Sequence, residues 1–104
     1  MLDATLSALS DPTRRAIVGY LRNEDLSVGQ VVEKFELTQS AISRHLDVLE
    51  NAHLIERRRV GQRRVCSLSA APLRELSDWL ESYREFWRGS LERLDRTVAR
   101  KKKR

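Results

Sequence analysis

The sequence predicts a mainly α-helical domain that carries one β-hairpin. Apolar residues recur at helical spacing in the first half of the chain and again over residues 72–98. Between these regions, two runs of strand-like composition flank Gly61-Gln62. A chain of 104 residues is enough for about one domain. We expect this domain to occupy residues 1–99, followed by a basic disordered tail at residues 100–104.

Three short helices are predicted in the N-terminal third of the chain. The apolar stripe of the first consists of Leu2, Leu6 and Leu9. Pro12 suits the first turn of a second helix, which would run to about Arg22. Ser27 can cap a third helix through its side-chain oxygen.

A fourth helix follows after only a few residues, roughly Glu36–Thr38, and this tight connection predicts a helix-turn-helix. Thr38 can cap the fourth helix, which we expect to extend to about Asn51. Its apolar residues Ile42, Leu46 and Leu49 share one face. The helix would therefore turn a polar face outward, made of Gln39, Ser40, Ser43, Arg44 and Asp47.

This outward face carries side chains that suit DNA recognition. Gln and Arg can form paired hydrogen bonds with adenine and guanine edges, and Ser can bond to bases or phosphates. The free N–H groups of the first turn and the positive end of the helix dipole favour a nearby phosphate. The alternative is an ordinary surface helix, because polar residues cover the outer face of any amphipathic helix.

The β-hairpin contributes a concentrated positive charge. Its strands are predicted over Leu54–Val60 and Arg63–Leu68, joined through Gly61-Gln62 by a type II′ turn or a longer loop. Five arginines lie within the eight residues 57–64, with no acidic residue between them. Such charge can protect a sheet edge from pairing, but it also favours an anionic partner. Because the hairpin directly follows a candidate recognition helix, it has the position of a wing, and the two features together indicate DNA binding.

The overall charge is weaker support. The chain has 20 Lys and Arg against 15 Asp and Glu, with a pI near 10.0. The five basic residues 100–104 account for this whole excess. The case for a nucleic-acid partner therefore comes from the hairpin and not from the overall pI.

These features resemble the ArsR-like winged-helix repressors over roughly residues 4–95. The resemblance rests on LSDPTRRAIVGYL at residues 9–21, LTQSAISRHLDVLENAHLIERRR at 37–59 and GQRRVCSL at 61–68. It implies a homodimer that pairs through its first and last helices, binds an imperfect inverted repeat and represses its own operon.

The resemblance also implies which residues meet DNA. The start of the fourth helix would contact bases or nearby phosphates, and the hairpin would contact the flanking backbone. The expected DNA-binding residues are Thr38, Gln39, Ser40, Ser43, Arg44, His45, Arg57, Arg58, Arg59, Gln62, Arg63 and Arg64. His45 has a second interpretation, as a half-buried residue packed between the fourth helix and the hairpin. His53 stands where many relatives have glycine, and we expect a left-handed backbone there.

One long last helix is predicted from Pro72 to about Val98, because a single apolar stripe persists through it. Its aromatic residues span more than one face, which favours burial against both the domain and a second subunit. The expected dimer interface consists of Leu2, Leu6, Leu76, Trp79, Leu80, Tyr83, Trp87 and Leu91. A small apolar ligand pocket lined by the aromatic rings is the alternative.

No metal site or cofactor is expected. In the third helix, Ser27 and Gly29 stand where metal-sensing relatives carry thiolates. The last helix has no histidine, and its acidic residues are expected to pair with arginines one turn away. Cys66 is expected to be buried, because strand alternation places it on the same face as Leu68. Redox sensing by a thiolate that the neighbouring arginines stabilise is the alternative.

Other classes of protein are less compatible with the sequence. No paired carboxylates, nucleophile–base set or glycine-rich phosphate loop indicates an enzyme. No apolar run approaches the roughly 20 residues that span a bilayer, and the N terminus lacks the order of a secretory signal, so we expect a cytoplasmic protein. The sequence thus predicts a DNA-binding transcriptional repressor without an identified inducer. The alternatives are a sequence-tolerant architectural DNA-binding protein and a protein-interaction adaptor that retains the winged fold.

Overall fold

A computed structural model describes the backbone of residues 1–102 and the side chains of residues 1–94. Within this part of the chain there are six helices and three short strands. The helices are α1 (Leu2–Ala8), α2 (Pro12–Leu21), α3 (Val28–Glu33), α4 (Gln39–Asn51), α5 (Ala70–Glu81) and α6 (Arg84–Lys102). The strands are β1 (Leu26–Ser27), β2 (Ile55–Val60) and β3 (Arg63–Leu68). The predicted class, mainly α-helical with a β-hairpin, is confirmed.

Short polar side chains begin three of the helices. Asp11, Ser27 and Thr38 each accept a hydrogen bond from the backbone N–H three residues later, at 3.0, 3.2 and 3.1 Å. At α3 the cap is reciprocal, because the Gln30 side chain accepts from the backbone N–H of Ser27 at 2.8 Å. These caps fix where α2, α3 and α4 start, and α3 and α4 are the two helices of the helix-turn-helix.

Loss of the Ser27 cap should be measurable in the free protein. Ser27→Ala leaves the first turn of α3 without its side-chain acceptor, and we expect the free energy of unfolding to fall by about 1 kcal/mol. Urea titration followed by circular dichroism measures this loss. Ser40→Ala is the control, since Ser40 is exposed in the first turn of α4 and does not cap it. Equal losses in the two variants would contradict the assigned cap.

The core lies between the helix-turn-helix and the sheet. Ile42, Leu46 and Leu49 of α4 are fully buried. They join a cluster that also contains Ala8, Ile17, Leu21, Leu26, Val31, Ala52, Leu54, Ile55 and Cys66. The predicted apolar face of α4 is therefore confirmed, and its burial obliges the opposite face to point outward.

The sheet extends the predicted hairpin by one strand. β2 and β3 pair from Ile55 with Leu68 to Val60 with Arg63, and Gly61 in the turn has a φ of +63°. β1 pairs with the other edge of β3, which gives the order β1-β3-β2. The sequence did not indicate this two-residue strand. It ties the segment that leads into α3 to the middle of β3.

His53 has the expected left-handed backbone, with a φ of +62°. It follows the end of α4, and its backbone N–H donates to the carbonyl of Glu50 at 2.9 Å. This conformation turns the chain directly from α4 into β2, so the helix and the hairpin are held close together.

The predicted single last helix is wrong, because the α-helical hydrogen-bond pattern is interrupted at Ser82 and Tyr83. The Ser82 hydroxyl donates to the carbonyl of Trp79 at 2.6 Å. The backbone N–H groups of Ser82 and Tyr83 bond to carbonyls only three residues earlier, at 3.2 and 3.0 Å. This tightened turn separates α5 from α6.

The predicted basic tail overlaps the end of α6, which runs to Lys102. Residues 103 and 104 lie outside the described residues. None of the helices in the described part of the chain is long and apolar enough to cross a membrane.

Candidate nucleic-acid interface

The outward face of α4 carries the polar side chains that the sequence placed there. Gln39, Ser40 and Arg44 are exposed, and Ser43 is half-buried. Thr38 precedes them, and its hydroxyl serves as the N-cap of the helix. Both amide and guanidinium groups are thus presented at the front of α4, where a recognition helix makes its base contacts.

A polar cleft of about 430 Å³ lies between the start of α4 and the hairpin. Six of the predicted DNA-binding residues line this cleft: Gln39, Ser43, Arg57, Gln62, Arg63 and Arg64. The start of α3 completes the wall with Ser27, Val28 and Gly29. Sequence patterns did not indicate this third wall, because it depends on the pairing of β1 with β3.

Arg57 lies in a different environment from the other hairpin arginines. Its guanidinium donates to Asp47 at 2.6 Å and to Glu50 at 2.8 Å, and only 10% of its side chain is exposed. The hydrogen bond from Arg57 is the main cause of a lowered pKa at the Glu50 carboxyl. Arg57 was expected to contact the DNA backbone, whereas the structure shows it joining β2 to α4.

The acidic partners of Arg57 were missed by the sequence reasoning. Asp47 and Glu50 lie three residues apart on α4 and therefore on one side of it. One feature of the sequence indicated that they could pair with an arginine: they lie on a helix that is followed directly by an arginine-rich strand.

Three of the remaining four hairpin arginines have no acidic partner among the described side chains, and the fourth, Arg58, has one. Arg58 is exposed and lies 3.6 Å from Asp25. Arg59, Arg63 and Arg64 are exposed and form no ion pair with a carboxylate among the described side chains. Arg59 and Arg64 are direct cross-strand partners. Like charges in this arrangement repel each other, and an anion placed near them would relieve the repulsion.

His45 lies on the side of α4 that faces α2. Its Nδ1 is 3.2 Å from Nη1 of Arg14 and 3.9 Å from Oδ2 of Asp11, and 21% of its side chain is exposed. The half-buried position considered for His45 is thus observed. The polar groups that it meets, Arg14 and Asp11, belong to the start of α2, whereas the prediction placed it between α4 and the hairpin.

Cys66 is fully buried in β3, as strand alternation predicted. Burial raises the pKa of its thiol, which disfavours the reactive thiolate. The redox alternative therefore loses support. Among the residues with described side chains, no three His, Cys, Asp or Glu groups gather in a way that could hold a metal ion.

A second surface consists of large apolar side chains on α5, α6 and the turn between them. Trp79, Tyr83 and Trp87 are partly exposed, and Leu91 is about half exposed. Leu6 of α1 is also exposed, and α1 packs against α5. Leu2, Leu76 and Leu80 are half-buried. Phe86 belongs to the same surface and is 78% exposed, although the expected dimer interface did not include it.

Comparison with known proteins gives consistent results. A family model described as "Bacterial regulatory protein, arsR family" matches residues 11–57. The chain is 33% identical over 82 residues to the transcriptional repressor SdpR of Bacillus subtilis, covering 79% of this chain and 91% of that protein. It is 38% identical over 89 residues to the HTH-type transcriptional regulator Rv2034 of Mycobacterium tuberculosis, covering 86% of this chain and 80% of that protein. A solved structure of an ArsR-like transcriptional regulator from Rhodococcus sp. RHA1 has a TM-score of 0.72 at 28% identity, over 89% of this chain and 88% of that one.

The family match spans the helix-turn-helix and reaches the first hairpin arginine. The relatives are transcriptional regulators and not enzymes, which agrees with the expectation from the sequence. The chain belongs to the ArsR family of DNA-binding transcriptional regulators with a winged helix-turn-helix fold.

Proposed function

We propose that this protein is a transcriptional repressor that binds an inverted-repeat operator as a homodimer and controls its own operon. A relative matched over most of its length is named a transcriptional repressor. In this proposal, α4 of each subunit enters the major groove and the hairpin contacts the adjacent backbone. Such a protein acts on the chromosome, and we place it in the cytoplasm.

One structural observation gives the main support for the DNA-binding part of the proposal. The start of α4 opens onto the same cleft as Arg63 and Arg64, two hairpin arginines that form no ion pair among the described side chains. A groove edge next to Gln39 and Ser43 would therefore bring a phosphate within reach of the arginines. Base contacts would come from α4, whereas the hairpin contacts would be independent of sequence.

The dimer part rests on the exposed apolar surface of α5 and α6. Monomeric soluble proteins rarely leave contiguous aromatic surface open to water. A second copy of the chain would cover Trp79, Tyr83, Phe86, Trp87 and Leu91. Two recognition helices related by a two-fold axis would then meet half-sites about one helical turn apart.

Two arginine substitutions separate base contacts from phosphate contacts. Arg44→Ala should weaken operator binding by about tenfold and leave binding to random duplex nearly unchanged, because a lost base contact affects only the specific complex. Arg63→Ala should weaken both complexes, and it should lower the slope of log affinity against log salt by about one unit for each lost phosphate contact. The operator is first located by footprinting the protein's own promoter, and fluorescence anisotropy at several salt concentrations gives both quantities.

Arg74→Ala is the matched control, since Arg74 is exposed on α5 and does not line the cleft. It should leave affinity and salt slope unchanged. Equal affinity of the unsubstituted protein for operator and random DNA would favour an architectural DNA-binding protein. Absence of DNA binding would favour an interaction adaptor, and either result would overturn the proposal.

A further inference from the structure

Arg14 of α2 connects two elements that have separate roles in the proposed repressor. Its Nε donates to the carbonyl of Ala8 at 2.6 Å, and its Nη2 donates to the carbonyl of Ser7 at 3.4 Å. Its Nη1 lies 3.2 Å from Nδ1 of His45. One guanidinium thus joins the C-terminal end of α1 to the side of the recognition helix α4.

The chemistry of the two side chains determines which of them donates the hydrogen bond. A guanidinium has only donors, so in a hydrogen bond between the two side chains Arg14 donates and Nδ1 of His45 accepts. The guanidinium is planar, and its donors point in fixed directions. A displacement of Ser7 and Ala8 would therefore reorient the group that holds His45. The imidazole is largely covered, which limits alternative positions for it.

Arg15 provides an internal comparison. Its Nη1 donates to the carbonyl of Leu9 at 2.8 Å, so it also binds the C-terminal end of α1. Cations at this position interact favourably with the helix dipole and with the last carbonyls. No hydrogen bond or ion pair of Arg15 reaches α4 among the described residues. The two neighbouring arginines thus share one structural role, and only Arg14 has a second.

We propose that Arg14, acting through His45, is a positioning residue that sets the orientation of α4 relative to α1. This inference rests on the proposed function, in which α4 reads the operator, and on the expectation that α1, which packs against α5, also joins the dimer interface. His45 directly follows Arg44, the side chain expected to contact a base. The contact then determines how the two recognition helices of a dimer are placed, and therefore which distance between half-sites the protein prefers.

The test compares the operator with a version whose spacer is longer by one base pair. Arg14→Met keeps most of the aliphatic stem and removes the donors, whereas His45→Leu removes the acceptor without touching α1. We expect each variant to bind the operator about tenfold more weakly and to discriminate less between the two spacers. The double variant should bind no more weakly than either single one, because both remove the same contact. His45→Asn retains an acceptor near the Nδ1 position and should restore the spacer preference.

Arg15→Met is the control, and its effect on the operator should be small and additive with His45→Leu. Thermal unfolding of every variant shows that binding is measured on folded protein. Additive losses from Arg14→Met and His45→Leu, or an unchanged spacer preference in both, would overturn the inference while leaving the repressor proposal intact. If the unsubstituted protein does not prefer the operator over random DNA, the repressor proposal itself fails and the inference fails with it.

Discussion

Replacing both Phe86 and Leu91 by alanine is expected to raise the dissociation constant of the proposed dimer by about 100-fold. The two side chains are 78% and 53% exposed in the single chain. Their truncation therefore removes little packing from the monomer, whereas in a dimer it removes apolar area that the partner would cover. Since a monomer binds only one half-site, operator affinity at low protein concentration should fall by a similar factor.

Analytical ultracentrifugation measures the dissociation constant, and an operator titration measures its effect on binding. The matched control is Glu85→Ala with Glu92→Ala, because these exposed residues lie seven positions apart on one side of α6, about 100 to 120° around the helix from Leu91. The control should dimerise like the unsubstituted protein. An equal effect of both double substitutions would assign the loss to α6 as a whole and not to its apolar face.

Arg57→Met is expected to lower the free energy of unfolding by about 2 kcal/mol. The substitution keeps much of the stem but leaves Asp47 and Glu50 without the cation that both now contact. Loss of a partner from a largely buried pair costs more than this, but the two carboxylates are partly exposed and water screens them. DNA affinity should also fall about tenfold, because β2 is no longer fixed to α4.

The pH dependence of the loss in unfolding free energy shows whether the ion pair of Arg57 causes it. The Glu50 pKa lies below its ordinary 4.5 in the folded protein, so the Arg57 contact stabilises the fold fully above that pH. The contribution is lost as the pH falls through the lowered pKa. The difference in unfolding free energy between Arg57→Met and the unsubstituted protein should therefore shrink from pH 6 to about pH 3. A difference independent of pH would show that packing of the stem, and not the ion pair, causes the loss.

Arg57→Met and Arg63→Ala should both weaken DNA binding, but they should change its salt dependence by different amounts. Because Arg57 already contacts Asp47 and Glu50, its replacement should change the salt slope less than loss of Arg63 does, for which the described side chains provide no acidic partner. A larger slope change for Arg57→Met than for Arg63→Ala would show that Arg57 leaves its acidic partners and contacts phosphate directly.

The parts of the fold that the sequence predicted are those determined by neighbours along the chain. The cap at Thr38 and the apolar spacing of α4 lie within a few turns, and both are observed. The hairpin was also predicted from nearby residues, namely Gly61 and the two strand-like segments that flank it, and it is observed. β1 could not be predicted in this way, because its pairing of Leu26 with Cys66 joins distant positions.

The break between α5 and α6 was missed for a different reason. The apolar stripe continues through Tyr83 with the same spacing, so periodicity alone cannot distinguish one helix from two. The interruption depends on how Ser82 uses its hydroxyl, which a hydrophobic pattern does not describe.

The sequence predicted which types of residue lie in the candidate site. It did not predict which of these side chains contact other parts of the protein. The charge pattern placed five arginines on the hairpin. It could not show that Arg57 meets carboxylates from α4 or that Arg14 meets His45, because both contacts need the folded arrangement of separate elements.

The facing pair Arg59 and Arg64 has a consequence for the energetics of DNA binding. The strand register places the two residues directly opposite each other in the free protein. The free protein therefore has a higher energy than it would with a neutral residue at either position. Any phosphate that comes between them lowers this energy, even without a close hydrogen bond. In the proposed repressor, we expect part of the affinity for DNA to originate in this repulsion within the unbound protein, and we expect these arginines to favour binding at many positions along the backbone.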